Sequence, residues 1–256
     1  MATARQSELG FLAAAVLAFA ASTAATIYGC ISMSSMQGME MAGGWTMSMT
    51  WMRMPGQSWL GAYAMFVGMW SVMMVAMMLP ALIPSLTRYR DSIGLCVGPL
   101  HGRLTMIVAV AYFAVWTLAG LVAFPVGVAI AESTMQFPML SRAAPVATGL
   151  IVVVAGALQF TRWKSRQLCC CRSTPVYATG NVRAAWRHGL QLGVHCVRCC
   201  AGLTAILLVL GVMDLRAMAI VTLAITAERV APGGHRVARV IGAIAIAAGL
   251  IQLSRT

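Results

Sequence analysis

A chain of 256 residues that is 60% hydrophobic and 9% charged, with a mean hydropathy of +0.83, is not a water-soluble domain wrapped around one core. It reads as all-α: a multi-pass, polytopic bundle of six to seven transmembrane helices, with membrane lipid as its first partner. The net charge of +12 does not point to nucleic acid, because with the N-terminus cytoplasmic thirteen of the eighteen Lys and Arg fall on the inner side and four on the outer.

Runs of about 20 apolar residues place candidate spans at 9–31, 59–84, 104–128, 144–160, 190–213, 215–230 and 237–253. The sixth is the weakest, since Glu228 and Arg229 close it early. Six spans plus an interfacial helix is the alternative. Residues 1–58 are expected to form a first helix with an extracytoplasmic loop, and 59–256 a membrane-embedded helical domain. The first run has features of a signal peptide: Arg5, an apolar region and Ala18-Phe19-Ala20. Its length favours a retained, Ala-rich packing helix.

The loop after it is methionine-rich. Met33, Met36, Met39, Met41, Met47, Met49, Met52 and Met54 put eight thioethers within 22 residues, with Gly38, Gly43 and Gly44 for flexibility. Thioether sulfur has no proton to lose and is a soft ligand, suited to Cu(I) and not to Zn(II). An outer capture site for Cu(I) is expected. The plainer reading is an interfacial segment anchored by Trp45, Trp51 and Trp59.

In the second run, Met65, Met69, Met73 and Met77 recur every four residues, with Met74 and Met78 beside them. Such a row drifts by about 40° per step and forms a slowly winding ladder. Methionine as filler between helices accounts for it equally well. Pro80 and Pro84 are expected to stop or kink the helix at its inner end. The third and fourth runs carry no charge. Cys96 and His101, in the loop between the second and third, are spaced too widely to be read as ligands.

The segment 161–187 is expected as a basic cytoplasmic loop in which Cys169, Cys170 and Cys171 lie among six cations. Neighbouring cations favour the thiolate that binds metal or reacts. Idle or lipidated cysteines are the alternative.

The richest stretch opens the fifth run: His188-Gly-Leu-Gln-Leu-Gly-Val-His195-Cys196-Val-Arg198-Cys199-Cys200. At 100° per residue, His188, Gln191, His195 and Cys199 share a face, with Cys196 and Cys200 alongside. Counting from residue 190 puts His195 to Cys200 roughly 10–18 Å deep, near mid-membrane. Imidazole and thiolate bind Cu(I) or zinc, so copper is the expected ion and zinc the second. Arg198 at that depth requires a partner, and Glu228 is the expected one, with Arg229 as a competing partner for Glu228.

Three segments together carry a family resemblance. They are Trp70-Ser-Val-Met-Met-Val-Ala-Met-Met-Leu-Pro80; Trp163-Lys-Ser-Arg-Gln-Leu-Cys169 with Cys171-Arg-Ser-Thr-Pro175; and His188-Gly-Leu-Gln-Leu-Gly193 with Cys196, Cys199-Cys200 and Gly211-Val-Met213. Over roughly residues 60 to 230 the chain resembles the predicted metal-binding integral membrane proteins known as domain of unknown function 2182. The resemblance implies a bacterial multi-helix membrane protein that binds metal. It marks Met77, Met78, Cys169, Cys171, Cys196, Cys199 and Cys200, and it leaves the metal open.

There is no phosphate-binding loop, dinucleotide fingerprint, nucleophile elbow or aspartyl-phosphate loop, so no enzyme is expected. The leading expectation is Cu(I) uptake or delivery. The outer methionines capture the ion, and Met73, Met77 and Met78 conduct it. The His195/Cys196/Cys199/Cys200 group with His188 holds it, and Cys169–Cys171 pass it to a metal-receiving protein. The alternatives are an accessory subunit of a larger membrane complex and, more weakly, a membrane thiol redox protein using Cys196-Val-Arg-Cys199.

Overall fold

The computed structural model describes residues 2–34, 38–41, 43–53, 56–97, 101–172 and 181–255. Among them are eight α-helices: α1 (Ala2–Ser34), α2 (Trp59–Val97), α3 (His101–Gln136), α4 (Pro138–Leu158), α5 (Arg162–Arg172), α6 (Val182–Leu210), α7 (Leu215–Val230) and α8 (Gly234–Ser254). Six of these, all except α5 and α7, are long and apolar enough to cross a membrane. The chain is an all-α membrane helix bundle. The sixth candidate run forms α7, whose 16 residues extend about 24 Å and fall short of a full crossing.

Successive helices run in alternating directions and give the bundle two ends. One end holds a small hairpin, and the other holds α5 and most of the arginines. At the hairpin end, strand β1 (Met39–Met41) pairs antiparallel with β2 (Trp45–Met47). The expected flexible loop is therefore partly ordered, because Gly43 and Gly44 supply the positive φ that so tight a reversal requires. The indole N–H of Trp45 donates to the Ser141 carbonyl at the start of α4 (2.9 Å) and seats the hairpin on the bundle. A 3-10 turn over Met49–Trp51 follows, and Trp51 packs against Phe66 at 5.3 Å between ring centroids.

Pro80 and Pro84 lie inside α2, which continues to Val97 and is not stopped by them. Buried packing on both sides of the prolines compensates for the hydrogen bonds they remove. The basic segment expected as a loop begins with α5. Thr161 accepts from the Lys164 amide (3.2 Å) and caps that helix.

Helix α6 presses closely on α3. A Cβ built on Gly193 would lie 2.8 Å from Val115 Cγ2 and 3.0 Å from the Tyr112 carbonyl, so only glycine permits this approach. The core runs along α2, α3 and α6 and includes Trp70, Tyr112, Trp116, Leu192 and Leu207.

Candidate metal centre

The buried positions of α6 include His188, Gly189, Leu192, Gly193, Cys196, Cys199, Cys200 and Leu203. The three- and four-residue steps of that set are an inward-facing helical stripe. Cys196, Cys199 and Cys200 all lie on it, while His195 and Gln191 sit half-exposed at its edge. Of the face expected from the sequence, His188 and Cys199 are therefore buried and Gln191 and His195 are not.

Cys196 Sγ lies 3.8 Å from Cys200 Sγ, one helical turn on. The phenol of Tyr112 donates to Cys196 Sγ at 2.9 Å. Arg229 Nη1 donates to the same sulfur at 3.0 Å and reaches the Tyr112 oxygen at 3.4 Å. One thiol sulfur therefore accepts from a phenol and a guanidinium, both buried. A buried acceptor sulfur with a cation beside it is arranged to carry negative charge.

A second polar group lies alongside. Lys164 Nζ forms a buried ion pair with Glu228 Oε2 (2.7 Å) and donates to the Cys199 carbonyl (2.7 Å). Gln159 donates to Glu228 Oε1 at 2.9 Å. Burial pulls the Lys164 ammonium down, but the Cys199 thiol, the Glu228 carboxylate and the Cys200 thiol outweigh it and hold its pKa above the ordinary lysine value. The partner of Glu228 is thus Lys164 and not Arg198, whose side chain is exposed. Arg198 needs no interior partner, because its long stem lets the head leave the bundle surface.

Cys196 and Cys200 stand at the middle of α6, fourteen and eighteen residues on from its first residue, Val182. The charged groups beside them come from the last turn of α7 (Glu228 and Arg229) and from α5 (Lys164).

Other expected ligands are dispersed. His188 stacks on Tyr89 at 5.2 Å and lies eight residues before Cys196. That is about 12 Å along the helix, too far to share an ion. His195 Nδ1 has no hydrogen-bond partner among the described residues. Cys169 and Cys170 are exposed on α5 and in no disulfide, and the Cys171 side chain lies outside the described residues. Among the described residues, no three His, Cys, Asp or Glu side chains form a ready-made metal cage. Of the expected group of His195, Cys196, Cys199 and Cys200, the three thiols adjoin one another, with Cys200 hydrogen-bonded to both of the others and charged neighbours alongside, while His195 stands half-exposed at the edge.

The methionines divide similarly. Met73, Met77 and Met78 are buried in the core with Met74. Met39 and Met47 face each other across the hairpin, and the period of two puts Met41 on the same face. Met33 and Met52 are half-buried. Met36 and Met54, and the Met49 side chain, lie outside the described residues.

Tyr112, Gln159, Lys164 and Arg229 were not expected at the site. The apparent conflict of a buried Glu228 and Arg229 closing an apolar run was the one available signal. It pointed to the right place and to the wrong partner.

A family model described as PpoB2, copper chaperone, matches residues 67–252. No curated protein and no solved structure matches the chain.

Proposed function

Because the chain belongs to the PpoB2 copper chaperone family, we propose that it holds Cu(I) between Cys196 and Cys200 and passes it on unchanged, as a carrier and not an enzyme. The observation that supports this most is a buried thiol pair, 3.8 Å apart, with one guanidinium at 3.0 Å. Soft thiolates suit Cu(I). On binding, each thiol gives up its proton to solvent. Two thiolates, one Cu(I) and Arg229 then sum to zero charge, and the Lys164–Glu228 pair is neutral by itself. Zinc in the same place would leave an uncompensated positive charge where water is scarce, which is costly. The charge balance therefore favours Cu(I) over the zinc alternative.

Delivery follows from α5. The helix that places Lys164 on the Cys199 carbonyl also presents Cys169 and Cys170 to the outside, about 8 Å further along its axis. In this reading they are the release thiols for a receiving protein. The methionine face of the hairpin captures the ion at the opposite end, and Met73, Met77 and Met78 line part of the way. The positive-inside bias makes the basic end cytoplasmic in a bacterial inner membrane. The charge balance, combined with the metal-binding family resemblance, is what favours this carrier over an accessory subunit or a thiol redox protein.

The test loads purified, reduced protein with Cu(I) and follows transfer to a thiol-bearing acceptor. Cys196→Ser/Cys200→Ser is expected to load less copper. Cys169→Ser/Cys170→Ser is expected to load normally and transfer at least about tenfold more slowly, since exposed thiolate is the exchanging group. Normal loading and normal transfer in both variants would overturn the proposal.

A further inference from the structure

A second cluster of sulfur lies at the hairpin end, built from residues far apart in the chain. Cys30 Sγ, near the end of α1, is 3.9 Å from Met213 Sδ and 3.9 Å from Met218 Sδ. Met213 lies in the short turn between α6 and α7, and Met218 in the first turn of α7. Cys30 and Met218 are buried, while Met213 is half-exposed. We infer that Cys30, Met213 and Met218 form a separate entry site for a soft monovalent cation, Cu(I) or Ag(I).

Three observations carry this. A thiol has one hydrogen to donate, yet two thioethers approach its sulfur equally closely. Hydrogen bonding alone accounts for one of those contacts. The spacing also suits an ion: metal–sulfur bonds of about 2.3 Å in a trigonal plane hold their sulfurs about 4 Å apart, and both edges here are 3.9 Å. Finally, Cu(I) on one thiolate and two neutral thioethers is electroneutral, so the site needs no counter-ion. A divalent ion would leave excess charge.

The cluster is placed for entry. Half-exposed Met213 gives access from the surface, and the methionine hairpin leaves directly from the end of α1. Asp214, next to Met213, is exposed and caps α7, with its carboxylate accepting from Arg216 and Ala217 amides (2.8 and 3.2 Å). It puts negative charge beside the opening, which attracts a cation. A further thioether packs on α1 at the neighbouring residue, where a Cβ on Gly29 would lie 3.7 Å from Met69 Sδ, on the row that leads to Met73 and Met77. The site shares its cargo with the carrier reading above but none of its ligands. From Cys200 to the end of α6 is ten residues, about 15 Å.

The experiment uses the full chain, purified and reduced, with methyl-13C methionine and Ag(I), which undergoes no redox cycling. Methyl signals of Met213 and Met218 are assigned with Met213→Leu and Met218→Leu. Both signals are expected to shift together as Ag(I) is added. Cys30→Ser is expected to remove both shifts, and Met213→Leu/Met218→Leu, which keeps core volume, to weaken Ag(I) binding at Cys30 at least about tenfold. Signals that stay fixed at Ag(I) saturation, or that shift equally in Cys30→Ser, would overturn the site. In Cys196→Ser/Cys200→Ser the shifts are expected to persist. If that variant also keeps its full copper load, the carrier reading fails while the entry site stands.

Discussion

The chain carries two runs of cysteine among basic residues, and the bundle treats them in opposite ways. On α6, Cys196 and Cys200 are buried, with Tyr112 and Arg229 on one sulfur and the Lys164–Glu228 pair alongside. On α5, Cys169 and Cys170 are exposed on the outer face of a helix whose inner face is Lys164 and Leu168. The residue type is the same. The difference is that one run is buried among charged groups from other helices and the other is exposed. In the proposed function, that makes the first a holding site and the second an exchange site.

The comparison can be broken where its charges meet. Glu228→Gln leaves the Lys164 ammonium buried without its carboxylate. Loss of one partner of a buried pair costs about 3–5 kcal/mol, so the thermal unfolding midpoint in detergent is expected to drop sharply. Replacing both, as Lys164→Met/Glu228→Leu, is expected to recover most of the loss. If Glu228→Gln unfolds at the wild-type midpoint, the pair does not hold α5 to the bundle.

Arg229→Met removes the counter-charge of the proposed copper site. Cu(I) affinity measured against a competing chelator is expected to fall about 100-fold, equivalent to about 2.7 kcal/mol, with partial recovery in Arg229→Lys. An unchanged affinity would detach the guanidinium from metal binding.

Alkylation sharpens the contrast directly. With a small maleimide and peptide mass spectrometry, Cys169 and Cys170 are expected to react at least about tenfold faster than Cys196 and Cys200, and Cu(I) to protect the latter pair. Equal rates would remove the distinction between holding and exchange. Tyr112→Phe has the smallest expected effect. One neutral hydrogen bond to Cys196 is lost, at about 1 kcal/mol, which corresponds to about a fivefold weaker Cu(I) affinity in the same competition assay.

The fold was legible in the sequence for a simple reason. In a bilayer, an apolar run of sufficient length has few alternatives to a helix, so six to seven spans followed from length and hydropathy, and the short sixth run was recognisable as the weakest by Glu228 and Arg229. The boundaries were less legible. α2 passes through Pro80 and Pro84 because packing on its neighbours outweighs the local preference, and α5 forms where charge density suggested a loop.

The candidate site was half legible. The cysteines of α6 stood out by number and spacing. Their partners did not, because Tyr112 and Lys164 lie 84 and 35 residues away from the groups they bond, and no local pattern marks them. The choice of Arg198 for Glu228 failed for the same reason: helical position gives the face a residue occupies, and only packing gives what stands opposite. Cys30 with Met213 and Met218 is the extreme case, joined across more than 180 residues.

The most direct test of the account is copper stoichiometry at equilibrium. Purified, reduced wild type and Cys196→Ser/Cys200→Ser would be titrated with Cu(I) against a chromophoric chelator of known affinity. The account predicts that wild type withholds one copper from the chelator that the variant gives up, with the remaining binding unchanged. Identical titration curves from the two proteins would contradict it.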